Sequence, residues 1–108
     1  MSYQELLKSL ENALEEANTL EKNFDSSKKV LKRAENISSN SEDLGMSFSK
    51  ENYEEAERKF NSGDYVGAEK LGKIFSEDLE NCNLVYTTIT NLFEMLDTIE
   101  MSYTISLE

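Results

Sequence analysis

The stretch "YEEAERKFNSGDYVGAEKLGKIF", Tyr53 to Phe75, decides the fold. Its left half places Tyr53, Ala56 and Phe60 three or four residues apart, the spacing of one helix face. "NSGDY" then stops that helix. Gly63 supplies the left-handed residue after a helix end, and Asp64 is an N-cap for the next helix. Upstream, Ser49 reads as the N-cap of the short helix, with Phe48 before it placed to staple onto Tyr53. Downstream, the inward positions run Ala68, Gly72, Phe75, Leu79, Cys82, Tyr86, Ile89, Phe93, Leu96 and Tyr103, with one slot open near Ile99 or Glu100. A three-four alternation this long is a coiled-coil-type seam.

The N-terminal third shows the same period. Leu7, Leu10, Leu14, Ala17, Leu20, Phe24, Leu31, Ala34 and Ile37 follow one stripe, with Ser27 in its single gap. "NFDSSKK" offers an internal cap at residues 25–27, and Asn81 with Asn83 lowers helix propensity farther on, so breaks are expected near 25 and 82 if the long helices divide. "SSNSEDLGMSFS", residues 38–49, loses the periodicity and reads as a loop. The whole chain is therefore expected to be one all-α domain, residues 1–108. The expected architecture is an antiparallel helical bundle or coiled coil of three helices, 3–37, 50–62 and 65–104, or of four or five if the long ones break.

Gly67, Gly72 and Lys73 in "GAEKLGKI" match the G-x-x-x-x-G-K spacing of a phosphate loop. The context does not fit, because such a loop follows a buried strand and puts Ser or Thr where Ile74 stands. "YEEAERKFNSGDYVGAEKLGKIF" instead resembles the helix–turn–helix unit of tetratricopeptide repeats. Ala56 and Ala68 stand at that unit's small crossing positions, and Gly63 with Tyr65 at its turn. The same G-D-Y-x-x-A turn is similar to helical hairpins of uncharacterised archaeal coiled-coil proteins. Gly72 and Phe75 depart from the repeat pattern, no terminal proline follows, and one unit cannot build the multi-repeat peptide groove. The resemblance implies a tight antiparallel hairpin and an interaction role, with no ligand residue to transfer.

Composition removes most other chemistries. With no histidine there is no Ser-His or Cys-His pair and no histidine metal site, and the carboxylates read as solvated faces, so the protein is not expected to be an enzyme or to hold a cofactor or metal. A single cysteine, Cys82, lies on the apolar seam and is expected to be a buried, inert thiol. A net charge of −11 repels nucleic acid and anionic lipid. No apolar run approaches a membrane span, and the acidic N-terminus is unlike a signal peptide, so a cytoplasmic protein is expected. Residues 25–37 carry a local +2, whereas Glu77 to Glu108 hold seven acids and no base; the two regions are candidates to lie side by side, within a chain or between chains.

A short helix of about 13 residues covers roughly 20 Å of neighbours that would run 54 to 60 Å. The rest of each long stripe needs a partner: either the helices fold back into one bundle, or two chains cover each other in a symmetric dimer. The expectation is a protein–protein interaction module that self-associates as a homodimer through Tyr86, Ile89, Phe93, Leu96 and Tyr103, with Leu7, Leu10 and Leu14 opposite. The alternatives are a bundle that senses a small molecule near Tyr65, Gly72 and Phe75, or a small regulatory protein.

Overall fold

Ser2 starts the first helix by a reciprocal cap. Its hydroxyl accepts from the Glu5 amide at 3.2 Å, while its own N–H donates to the Glu5 carboxylate at 3.4 Å. The computed structural model describes residues 2–107, with side chains as far as Thr104. It contains three helices, α1 (Tyr3–Asp43), α2 (Glu51–Asn61) and α3 (Tyr65–Leu107), and no strand among the described residues.

α1 is unbroken at residues 25–27 and continues six residues beyond the expected end at 37. The reason is the same in both places. Ser27, Ser38 and Ser41 are not caps or loop residues but buried positions of the stripe, together with Ala34. Small side chains there let α1 approach its neighbours closely. The Ser27 hydroxyl donates to the Phe24 carbonyl and that of Ser41 to the Ile37 carbonyl, so neither enters the core unsatisfied.

α1 and α2 end in the same way. After α1 the Gly45 N–H donates to the Glu42 carbonyl and the Met46 N–H to that of Ser41; after α2 Gly63 donates to Phe60 and Asp64 to Lys59. Both are Schellman motifs built on a left-handed glycine, with φ of 78° at Gly45 and 91° at Gly63. Asp64 then caps α3 by accepting from the Gly67 N–H at 3.0 Å, as expected. The cap of α2 falls one residue later than expected, at Lys50; Ser49 still contributes, accepting from the Glu51 N–H at 3.3 Å. A Cβ on Gly63 would meet nothing within 4 Å, so substitution there strains only the backbone. Gly63→Val is expected to cost about 2 kcal/mol, because a β-branched residue resists positive φ. Urea unfolding checks this; an unchanged midpoint would mean the turn is built differently.

The two short reversals make α1 and α3 parallel, with α2 antiparallel to both. Ser26 reaches Glu69 and Ser41 reaches Asn83, so both helices advance in the same direction. Their overlap is closed at each end by rings. Phe24, Phe60 and Tyr65 pack with centroids 5.2 to 5.3 Å apart at one end, and Phe48 and Tyr53 close on Phe75 at the other. The buried apolar residues of this overlap are Ala34, Ala56, Ala68, Phe75 and Leu79. A Cβ on Gly72 would lie 2.8 Å from Val30 Cγ1, so this glycine lets α3 lie close against α1.

α3 also runs without a break at 82. Asn83, not Cys82, turns toward α1, and its side-chain amide meets the Ser41 hydroxyl at 2.8 Å. Cys82 is exposed, contrary to its expected place in the core. An α-helix takes 3.6 residues per turn, so a stripe counted in steps of 3.5 drifts around it, and Cys82 has drifted off the side that α1 covers. Part of the basic patch does meet the acidic segment, through an exposed Arg33–Glu80 ion pair.

One polar staple joins α1 to the start of α3. Ser26 donates to Glu69 at 2.9 Å and Lys73 pairs with the same carboxylate at 3.1 Å. The Ser26 hydrogen bond first, and Lys73 second, hold the Glu69 carboxyl below its ordinary value. A lowered folded-state value contributes stability above the ordinary carboxylate range that is lost as pH falls through it. Glu69→Gln is expected to lose up to about 1 kcal/mol at pH 7, the discounted worth of a largely solvated pair. The difference from the parent protein should shrink as pH falls below the ordinary carboxylate range, as parallel thermal melts would show.

Candidate functional site

α2 has 11 residues, so α3 begins beside Phe24 and not beside the start of α1. Each long helix therefore overhangs the three-helix region, at opposite ends of a molecule 97 Å long and 20 × 15 Å across. Residues 3–23 of α1 project from one end and residues 85–104 of α3 from the other. Leu7, Leu10 and Leu14 lie on the first overhang; Tyr86, Ile89, Phe93, Leu96 and Tyr103 lie on the second. All eight are exposed, and within one chain the two sets do not meet. Tyr86 is the last of its set at the bundle, its hydroxyl 3.9 Å from where a Gly45 Cβ would stand.

The C-terminal overhang is the more unusual surface. Eleven large apolar side chains between Leu84 and Tyr103 are 38 to 68% exposed. Val85, Leu92 and Ile99, outside the expected interaction set, complete a 4-3-4-3-4 series with Ile89, Leu96 and Tyr103. That spacing was the signal that could have found them. The acids Glu94, Asp97 and Glu100 all lie off this series, and the segment has no base.

The helix of this overhang is intrinsically weak. Eight of residues 85–104 are β-branched, which lowers helix propensity. Thr88, Thr90, Thr98 and Thr104 turn their hydroxyls onto carbonyls four residues back at 2.8 to 3.0 Å, satisfying themselves locally. Helical stability in such a sequence comes from packing of its apolar face, not from propensity. The N-terminal overhang is built differently. The buried series Ser27, Ala34, Ser38 and Ser41 leads back through Phe24 to Leu20, Ala17, Ala13, Leu10 and Leu6, with small residues at its middle.

The other candidates have no comparable geometry. Gly67 and Gly72 lie inside α3, so no phosphate-cradling loop exists between them. Tyr65 is engaged by Phe24 and Phe60, Gly72 by Val30, and Phe75 is 5% exposed, which describes packing at the three positions considered for a small ligand. Burial, then the Glu57 carboxylate, raises the Tyr53 phenol beyond its ordinary value, so it stays protonated. Among the described residues no cluster of His, Cys, Asp or Glu could hold a metal ion, and no helix is long and apolar enough to cross a membrane. Comparison with protein-family models, curated proteins and solved structures finds no match to the chain.

Proposed function

We propose that this protein is a non-enzymatic helical interaction module that associates with itself as a homodimer. The observation that carries this reading is the C-terminal overhang, a 20-residue helical arm of low propensity with one broad, uncovered apolar side. A patch of that kind marks an interaction site, and the residues on it include Met95 and Met101, which adapt to a partner's shape. The bundle supplies a rigid base that starts the helix in the right direction; the arm supplies the contact. A small molecule has little to bind on a convex helix face, whereas a second helix fits along it.

Sedimentation over a concentration series tests the reading. Self-association predicts a rise toward twice the chain mass of 12.4 kDa as concentration increases. A mass that stays at that of one chain at all concentrations would remove the proposal.

A further inference from the structure

We propose that residues 85–104 of α3 pair antiparallel with the same segment of a second copy, across a two-fold axis level with Glu94. The proposal rests on the self-association read above and adds its geometry.

The face in question lies beyond the cover that the bundle gives α3. Phe75 and Leu79 are buried there, Cys82 is already exposed, and every residue from Leu84 to Thr104 is exposed.

The open stripe is self-complementary. Val85, Ile89, Leu92, Leu96, Ile99 and Tyr103 have the same 4-3-4-3-4 spacing read in either direction, symmetric about residue 94. A second copy turned end over end therefore sets Val85 against the partner's Tyr103, Ile89 against the partner's Ile99, and Leu92 against the partner's Leu96. Each pairing occurs twice, as a two-fold interface requires.

Charge does not oppose this pairing. Glu94 lies on the far side of the helix from Leu92 and Leu96, and Glu100 is at the edge of the stripe, four residues from Leu96 and three from Tyr103. With no base on the segment and uncharged Phe93 and Met95 flanking its centre, the face is suited to an apolar copy of itself more than to a strongly charged partner.

Sterics agree. Antiparallel pairing about residue 94 sends the two bundles to opposite ends, out of each other's way. A two-fold dimer that instead laid residues 3–23 of each copy on 85–104 of the other, at the α1–α3 axis spacing, is closed to straight helices. The operation that achieves it leaves the line of either α1 or α3 in place, and the two copies of that helix then overlap along it.

Pulsed dipolar distances between nitroxides on the full-length protein test this arrangement, with the mass measured on the same samples. One label goes on the native Cys82, exposed and the sole cysteine; the other goes on Glu94→Cys in a Cys82→Ser background. The expected result is a dimeric mass, a separation under about 30 Å at 94, and a longer one at 82, where 24 residues of helix intervene, roughly 36 Å along the axis. A dimeric mass with equal short distances at both positions means parallel pairing and overturns the proposal. A dimeric mass with the 94 labels about 60 Å or more apart means that another face is used, and overturns it too. A monomeric mass overturns the self-association itself.

Discussion

Leu92→Asp combined with Leu96→Asp is expected to abolish self-association while leaving the three-helix bundle folded. Both side chains are more than half exposed in the single chain, so the bundle loses no core contact when they are changed. In the pair they form the central layers, Leu92 against the partner's Leu96 and the reverse. Truncating a central interface residue costs about 2 kcal/mol or more, so the two together should raise the dissociation constant by at least about three orders of magnitude. Two carboxylates facing each other add repulsion and desolvation to that loss. Sedimentation reads the dissociation and circular dichroism reads the bundle. Phe93→Asp, at the edge of the stripe, should weaken the dimer by less. Undiminished dimerisation in the double variant would assign the contact to another surface.

Phe75→Ala has the opposite signature, since it attacks the bundle and leaves the arm chemically intact. Phe75 is 5% exposed and receives both Phe48 and Tyr53, at centroid distances of 6.3 and 5.6 Å. It is the one large aromatic among the buried residues that close the core, the rest being Ala34, Ala56, Ala68 and Leu79. Deleting a buried phenyl ring costs about 3 to 5 kcal/mol, a large share of the 5 to 15 kcal/mol that holds a domain of this size. The melting temperature should fall by at least about 12 °C. The arm depends on the bundle to start its helix, so dimerisation should weaken in parallel. A variant that melts with the parent protein would mean that the loop at Met46 and Phe48 is not packed on α3.

Much of this was legible in the residues alone. The turn at Gly63 and Asp64, the positions facing inward on α2, and the all-α character all follow from spacing and cap chemistry. What escaped was the meaning of serine beyond Ile37. Ser27 already stood on the stripe, but Ser38 and Ser41 also occupy buried stripe positions, and a hydroxyl that bonds its own helix, as at 27 and 41, is nearly as acceptable in a close contact as alanine. Periodicity counted on apolar residues therefore stopped six residues early. Helical drift moved Cys82 outward and Asn83 inward, a displacement that a seven-residue count does not register. The stagger of α1 against α3 was implicit in the length of α2: an 11-residue return cannot carry the chain back to Leu7, so the leucines there cannot face Ile89 in the same molecule. Of the exposed 4-3-4-3-4 series, Ile89, Leu96 and Tyr103 stand on the seam counted along the sequence, and Leu92 and Ile99 belong to a C-terminal segment whose apolar excess is plain there; that these side chains are left uncovered follows from the stagger of α1 and α2.

Amide hydrogen exchange measured residue by residue across a dilution series reads whether association covers the apolar side of residues 85–104. Coverage by a second copy predicts that protection of residues 85–104 falls as the protein is diluted, because a weak helix frays once its partner leaves, while residues 26–41 in the bundle stay protected throughout. Protection of 85–104 that is independent of concentration, or absent at every concentration, would contradict it.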